Sequence, residues 1–391
     1  MAGRTRRVAC LLVVPVLVAC GMTRRSVSRA DESVRAAPSL TRLPSIARET
    51  TFARLVERLS EPGGFFDSDN LISNETSYLH VLDAMHRVGV RGGVYVGVGP
   101  DQNFSYIADI RPSMALIIDI RRDNLLEHLL FKAMFAMSHD RAEYLSVLLG
   151  RPAPRDRAAW RDRSIQDLVD YFDHTPADSG YVHSTQRELD ARISRFGIVL
   201  SPVEVETIRR VRGAFVVDSL GIRYSSLGRA PRPYHPTYRQ LLLEQDRSGH
   251  QANFLARDDA FQFVKSMEDR NLIVPVVGNV AGDKALLEIA RFVTERGEVV
   301  SAFYLSNVEQ YLMRDGSFTK FAQNLKQLPR NQRSVIIRSF FGAPFGSGHP
   351  LNVPGHTSTS MLQTFDSFVK EYEAGTLRSY FDLVGRNYLD P

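Results

Sequence analysis

The sequence has very little cysteine, with only Cys10 and Cys20 in 391 residues. A chain of this size with two cysteines, both near its start, cannot be a disulfide-stapled secreted scaffold. The body that follows residue 20 has no thiol, which excludes a cysteine nucleophile there. It also excludes a cysteine-ligated zinc module.

The sequence also has no strong excess of charge of one sign. The formal net charge is +5, and the first nineteen residues contribute Arg4, Arg6 and Arg7 with no acid, which leaves +2 for the remainder. A near-neutral body gives no electrostatic footprint for a polyanion, so no nucleic-acid partner is predicted. With 43% hydrophobic and 24% charged residues, the composition is that of a globular protein.

The N-terminus carries an export pattern. Residues 8–19 are apolar and follow the three arginines. Twelve residues are too few to span a bilayer as a helix, but they suit the apolar region of a signal peptide. The run ends in Leu17-Val18-Ala19-Cys20, which resembles a bacterial lipobox.

The lipobox resemblance implies a signal peptide over residues 1–19, lipidation of Cys20 and a flexible tether over residues 20–50. The implied location is the cell envelope, held to the membrane by lipid. Gly21 in place of aspartate favours the outer membrane if the organism is Gram-negative. An uncleaved anchor, plain secretion and a chance cysteine remain as alternatives.

Apolar runs alternate with helical patterns from residue 51 onward, which predicts an α/β domain over 51–391. Such an alternation is typical of a mostly parallel sheet covered by helices on both faces, a Rossmann-like three-layer sandwich. Residues 139–257 break the alternation and are predicted to form a helical insertion. The predicted strands lie near residues 94–98, 115–120, 272–277, 299–305 and 334–338.

Glycines stand where the first strand turns into a helix. Gly97 and Gly99 allow a tight turn and a close approach of the backbone to a ligand. Asp119 ends the next strand, twenty residues after Gly99. An acid at that place accepts hydrogen bonds from the ribose hydroxyls of a nucleotide-like cofactor.

These motifs, together with Arg121-Arg122-Asp123-Asn124-Leu125, resemble those of class I SAM-dependent methyltransferases. Three further runs, at residues 61–64, 70–75 and 97–104, resemble an uncharacterised bacterial family with a methyltransferase-like fold. The resemblance implies that Gly97, Gly99 and Asp119 bind S-adenosyl-L-methionine (SAM). An NAD-type cofactor stays open, since the ribose acid is common to both and Arg121 could bind a 2′-phosphate.

Two positions depart from the methyltransferase pattern. Tyr95 stands where that pattern has an acid, and Asp101 stands where it has a third glycine. Asp101 is predicted to contact the ligand; the alternative is a first-turn acid that the helix dipole favours.

Further candidates lie at or near other strand ends. Tyr304 lies near the end of a predicted strand and Asn307 follows that strand, at the edge where open sheets bind ligands, and Glu75 precedes the first strand on a helix that could lean over the pocket. They are predicted to bind substrate; the alternatives are Ser306 as a helix N-cap and Glu75 as a first-turn acid. His349 and His356 share a loop rich in glycine and proline, but no obvious carboxylate or cysteine completes a metal set, so no metal is predicted.

Two functions from different classes stay open. The first is a SAM-dependent methyltransferase of unknown substrate, whose chemistry needs mostly positioning and no catalytic triad. Because SAM is cytosolic, an exported chain would not ordinarily meet it. The second is a non-catalytic envelope protein that binds another small molecule, or a partner, through a repurposed pocket.

Overall fold

The computed structural model of the protein describes residues 51–342 and 348–390. Cys20 and the predicted signal peptide and tether lie outside the described residues. Among the described residues, no helix is both long enough and apolar enough to cross a membrane.

The centre of the fold is one six-stranded sheet whose strands follow the order β3-β2-β1-β4-β5-β6. The first five pair in parallel, and β6 pairs with β5 in the antiparallel direction. The strands are β1 Val94–Gly97, β2 Met114–Asp119, β3 Ile273–Val277, β4 Val300–Ser306, β5 Val335–Phe340 and β6 Thr359–Thr364.

Helices pack around this sheet, as the nearly complete burial of every strand requires. The described residues form α1 Phe52–Leu59, α2 Leu82–Val88, α3 Gln102–Ile110, α4 Arg122–Met137, α5 Arg141–Leu149, α6 Arg157–Trp160, α7 Ile165–His174, α8 Ser179–Ile193, α9 Pro202–Asp218, α10 Tyr238–Leu243, α11 Asp258–Asp269, α12 Ala285–Glu295, α13 Val308–Asp315, α14 Phe318–Lys326, α15 Phe365–Glu373 and α16 Tyr380–Val384. Short 3₁₀ turns occur at Tyr78–Val81, Ser194–Phe196 and Ser219–Gly221.

The predicted fold class is confirmed: the sheet is mostly parallel and its five parallel strands coincide with the predicted ones to within about two residues. The antiparallel strand β6 was not predicted. Its sequence is Thr-Ser-Met-Leu-Gln-Thr, and both Ser360 and Gln363 are buried among polar partners. A buried polar strand lacks the apolar run by which the other five are visible in the sequence.

Between β2 and β3 the chain forms a group of helices that pack on α4. Helices α8 and α9 both contact α4, and α9 also contacts α5. Two buried arginines join the group. Arg141 donates to the carbonyls of Leu255 and Ala256, and Arg212 donates to that of Val147. The helices are thus docked through carbonyls that would otherwise be buried without partners.

The strand order decides where a ligand site can lie. The chain winds outward from β1 in one direction to β2 and β3, and in the other to β4 and β5. The carboxyl ends of β1 and β4 therefore flank the point where the order reverses. Open α/β sheets bind their ligands in the crevice at that point.

Candidate site at the carboxyl edge of the sheet

The turn after β1 has the backbone shape that a ligand-binding glycine turn requires. Gly99 has a φ of +83°, which L side chains rarely adopt. A Cβ there would also lie 3.4 Å from the side-chain amides of Asn70 and Gln102. Gly99 is therefore needed for the turn itself, and polar side chains already flank it.

Gly97 is required by packing at the end of β1. A Cβ at Gly97 would lie 2.0 Å from Oδ1 of Asn103, so the glycine makes room for this side chain. Asn103 supports the turn by donating to the carbonyls of Val98 and Pro100, at 3.0 and 2.7 Å. Its Oδ1 accepts from the hydroxyl of Tyr95 at 2.8 Å, which gives this tyrosine a structural role.

Asp101 is buried at the start of α3, where it is only 4% exposed. Its carboxylate accepts a hydrogen bond of 2.8 Å from the hydroxyl of Tyr238 on α10. Burial raises the pKa of Asp101 to about 6, even though the Tyr238 hydrogen bond lowers it. The residue in place of the third glycine thus lies inside the crevice.

Asp119, the predicted ribose acid, already has a partner. Arg121 donates through Nη2 to Oδ2 at 3.0 Å and through its backbone N–H to Oδ1 at 2.8 Å. The guanidinium also donates to the carbonyl of Asp69 at 2.6 Å. Arg121 thereby ties the end of β2 to a segment that precedes β1.

Three polar side chains of α4 face the same place. Asn124, Glu127 and His128 are each at most 2% exposed in a helix that is otherwise largely apolar. Their spacing puts them on one face, and Nε2 of His128 lies 3.0 Å from the carbonyl oxygen of Gly99. Burial lowers the pKa of His128 to about 4. Burial also raises the pKa of Glu127 well above its ordinary value. Arg121 lowers the pKa of Glu127, and the carboxylates of Asp101, Asp69 and Asp119 raise it further.

Several buried polar atoms in this region have no hydrogen-bond partner among the described residues. They include acceptors and at least one donor: Asp69 Oδ1, Gln102 Oε1, Asn124 Nδ2, Glu127 Oε1 and His128 Nδ1. Buried polar groups are nearly always paired in proteins, so a concentration of unpaired ones indicates a site for water or for a polar ligand.

Two segments cover the crevice. Residues 61–73 pass over the ends of β2 and β3, where Gly64 donates to the carbonyl of Ile120 at 2.7 Å. Residues 222–237 lie beside them, and Ser225 donates to Asp69 Oδ2 at 2.7 Å. A cavity of about 280 Å³ opens between the two segments, lined by Asp69, Leu71, Ala214, Asp218, Gly221, Ile222, Arg223, Ser225 and Pro231.

Glu75 and Tyr304 lie together at the ends of β4 and β5. The Glu75 carboxylate is fully buried, and it accepts from the hydroxyls of Tyr304 at 2.6 Å, of Ser339 at 2.5 Å and of Ser306. Burial raises the pKa of Glu75, and the three hydroxyls oppose this. Gln102 joins this cluster to the glycine turn by donating to the Tyr304 hydroxyl at 3.1 Å.

Asn307 does not join this cluster through a direct contact with Glu75. It is the N-cap residue of α13, and its amide lies 3.4 Å from Gln310 in the same helix. The Asn307 side chain makes no capping hydrogen bond, and Ser306, the alternative N-cap, donates to Glu75 instead. Substrate binding by Asn307 stays a prediction.

A second polar cluster lies near the antiparallel strand and contains His80, Glu244 and His356. Nε2 of His356 lies 3.2 Å from Oε1 of Glu244, and Nε2 of His80 lies 3.7 Å from the same oxygen. Burial opposes ionisation of Glu244, but its histidine partners lower its pKa to about 2. His349 is elsewhere, since its ring lies 2.8 Å from the carbonyl of Val384. The sequence around His356 contains no obvious carboxylate partner, and the structure shows that its partner is Glu244, 112 residues earlier in the chain.

The sequence analysis missed Tyr238, His128, Glu127 and Glu244. The i, i+3, i+4 spacing of Asn124, Glu127 and His128 within an apolar helix was a usable pattern, because polar side chains rarely occupy the buried face of a helix without a partner. No pattern in the sequence could have paired Tyr238 with Asp101, or Glu244 with His80, because these contacts depend on the tertiary fold.

Comparison with known families gives one match. The profile of a family described as Domain of unknown function (DUF7790) matches residues 71–158 and 223–380, together more than half of the chain. The matched segments contain the whole sheet, the glycine turn, Asp119 and the His80 cluster. No curated protein matches the chain.

Proposed function

Because the chain belongs to the family described as Domain of unknown function (DUF7790), its activity has to be argued from the site, and we propose that the domain binds a cationic, hydroxyl-bearing ligand of the SAM class in the crevice beside Gly99. The observation that carries this proposal is the group of buried, unpaired polar atoms around the turn. Methyl transfer to an unknown acceptor is the activity such binding would serve.

The balance of charge favours SAM over a dinucleotide. Among the described residues, the carboxyl groups of Asp69, Asp101, Asp119 and Glu127 meet here beside the guanidinium of Arg121. Because burial favours the neutral form of Glu127, the negative charge of the site comes from the aspartates. SAM brings a sulfonium, an ammonium and two ribose hydroxyls, all of which suit carboxylates. NAD brings a pyrophosphate, which the doubly wound fold binds at the first helix N-terminus. Asp101 occupies that place and would repel it.

The residues present fit the ligand in most respects. Asp119 keeps free lone pairs for a ribose hydroxyl beside its Arg121 contacts, since an ionised carboxylate has about four acceptor sites. Asp101 and Glu127 would accept from the ammonium, and Asn124 would donate to a ring nitrogen or the carboxylate. When bound, SAM supplies an electrophilic methyl group; the chain would supply orientation and the exclusion of water.

Calorimetric titration of the purified full-length protein tests the proposal with three probes. We expect SAM to bind most tightly, S-adenosylhomocysteine more weakly because it lacks the sulfonium charge, and NAD not at all. Asp119→Asn should weaken SAM binding by about 10- to 100-fold, through the loss of a charge-assisted hydrogen bond worth roughly 1.5–3 kcal/mol. Asp123→Asn is the matched control, since its side chain is 54% exposed.

A second function is favoured by one specific contact, the Arg121–Asp119 pair beneath the covering segment. In that case the pocket is repurposed, and the protein is a non-catalytic envelope protein that binds another molecule or a partner. None of the three probes would then bind the wild type, and Asp119→Asn would alter stability alone. A wild type that binds NAD and not SAM would contradict the charge argument.

Export and lipidation at Cys20 are part of the proposal. They rest on the arginine-rich start, the twelve-residue apolar run and the lipobox-like residues 17–20. An exported protein would meet SAM only where the envelope supplies it, so a cationic, hydroxyl-bearing ligand of the same chemistry is the broader expectation for the site.

A further inference from the structure

His80, Glu244 and His356 have the composition of a metal site. Two imidazoles and one carboxylate form the protein ligand set of open zinc sites, in which water or substrate takes the fourth position. Among the described residues these three bring their ligand atoms to within 4.8 Å of one another. They come from three separate parts of the chain: the 3₁₀ turn Tyr78–Val81, the residue after α10 and the loop before β6.

The distances between the ligand atoms fit a tetrahedral ion, and one of them is too long for a hydrogen bond. Bonds of 2.0–2.1 Å in a tetrahedral zinc site place neighbouring ligand atoms about 3.3 Å apart. The separations from Glu244 Oε1 are 3.2 Å to His356 Nε2 and 3.7 Å to His80 Nε2. The second is too long for a hydrogen bond, so the orientation of His80 is not explained by pairing with Glu244 alone.

The orientation of the two imidazole rings also supports a metal site. Both histidines direct Nε2 toward one carboxylate oxygen, and the rings meet edge to face with centroids 4.5 Å apart. A cation between the two rings and the carboxylate would be coordinated by all three side chains.

The three side chains differ in exposure, as expected for a metal site with one position open to solvent. The side chain of His80 is 6% exposed, that of Glu244 15% and that of His356 21%. The inner ligand is thus fixed by packing, and solvent reaches the outer ones. The loop that carries His356 is joined to the segment just before the 3₁₀ turn that carries His80, since Thr357 donates its N–H to Thr76 Oγ1 at 2.9 Å.

From this geometry we infer that His80, Glu244 and His356 form an open site for a divalent transition-metal ion, with zinc as the ion it would take. The bound ion would crosslink the 3₁₀ turn, the end of α10 and the loop before β6. The site is separate from the glycine turn, so it stands or falls independently of SAM binding.

Metal titration of the full-length protein tests the inference. After removal of bound metal with EDTA, Zn²⁺ should bind with a stoichiometry of one per chain and a Kd of about 1 μM or lower, on the order of −8 kcal/mol. It should also raise the melting temperature, because it binds only the folded chain. Ca²⁺ and Mg²⁺ should not compete, since they prefer all-oxygen ligand sets. Co²⁺ should give the intense visible absorption of a four-coordinate ion.

Variants separate the site from adventitious surface binding. Glu244→Gln and His356→Ala should each weaken Zn²⁺ binding by more than about 100-fold, because changes one shell further out already cost 10- to 100-fold. His250→Ala is the matched control: its side chain is 77% exposed and only six residues from Glu244, so binding should be unchanged. The far-UV spectrum of each variant verifies folding. Wild-type protein that binds no Zn²⁺, or binding that the two ligand variants leave intact, would overturn the inference.

Discussion

At the scale of the residue, the crevice holds ionisable groups whose burial works in opposite directions with pH. Asp101 keeps its proton to a higher pH when folded, and His128 stays neutral to a lower pH. Asp101 therefore lowers the stability of the folded protein at pH values above the ordinary pKa of aspartate. His128 lowers it at pH values below the ordinary pKa of histidine. Buried ionisable groups that lower stability in this way are concentrated at functional sites, which supports the assignment of the crevice as a binding site.

Asp101→Asn isolates one of these costs. In the unfolded chain the carboxyl group ionises near pH 3.8, and in the folded chain near 6. Wild-type stability thus falls as the pH rises from about 4 to about 6. Asparagine does not titrate but can still accept from Tyr238. The variant should match the wild type near pH 4 and exceed it above pH 6 by roughly 3 kcal/mol, the equivalent of the difference between the two pKa values.

Urea unfolding between pH 4 and pH 8 measures this difference. Asp123→Asn, at an exposed position in the first turn of α4, should change stability by less than about 0.5 kcal/mol at any pH. A stability difference for Asp101→Asn that does not vary with pH would show that the carboxylate is ionised in the folded protein. A substitution at Gly99 is a poor test of binding, because its φ of +83° alone strains any side chain.

At the scale of the element, one buried ion pair holds the antiparallel end of the sheet. Arg338 on β5 and Glu309 on α13 are both fully buried, and Nη2 lies 3.0 Å from Oε1. Arg338 also donates to Gln363 on β6 at 2.7 Å, and Gln363 in turn donates to Glu371 on α15 at 2.5 Å. The network joins four elements through buried side chains.

Arg338→Met should destabilise the protein by about 3–5 kcal/mol, because it leaves the Glu309 carboxylate buried without a partner. Adding Glu309→Leu should recover most of that loss, since the pair then becomes apolar. Chemical denaturation of the two single variants and the double variant gives the coupling energy. If both single variants cost less than about 1 kcal/mol, the pair has no part in holding β6.

The same elements explain what the sequence could predict. Helices cover both faces of the sheet, so each of the strands β1 to β5 contains a run of at least three apolar residues, even β5, where Arg338 and Ser339 follow that run. The turn at Gly99 is visible because the backbone needs glycine there. Strand β6 is not, since Gln363 and Ser360 are buried only by virtue of partners on other elements. Likewise the contact between Asp119 and Arg121 joins residues two apart in the sequence. The contact of Arg121 with Asp69 spans 52 residues and depends on the tertiary fold.

At the scale of the whole molecule, the family match and the fold divide the chain in similar ways. The match omits residues 159–222, which contain α7, α8 and α9. The sheet, the glycine turn and the His80 cluster lie in matched segments, whereas Asp69 and part of the cavity lining lie outside them. The helices in the gap reach the crevice mainly through its rim, where Glu204 of α9 pairs with Arg122 at 2.6 Å. The family profile therefore covers the strand ends at the carboxyl edge and leaves these three helices outside its match.

The predicted lipid anchor concerns the same scale, and Cys20→Ser tests it in the full-length chain. If Cys20 is lipidated, the wild type should fractionate with membranes and incorporate a labelled fatty acid, since several acyl chains on one residue anchor firmly. Serine cannot form the thioether, so the variant should lose the label and either leave the membrane or keep its precursor mass. The predicted tether of residues 20–50 would let the domain reach roughly 30 Å from the surface.

Cys10→Ser is the matched control for this experiment, because the chain has no other cysteine. Cys10 lies within the predicted signal peptide and would be removed with it, so its loss should leave labelling and fractionation unchanged. An uncleaved anchor would instead leave the wild type in the membrane at precursor mass and without label. Recovery of the wild type as a cytoplasmic protein at full precursor mass would refute export altogether. It would also bring the domain into the compartment where SAM is abundant, which makes fractionation the experiment to perform before any ligand titration.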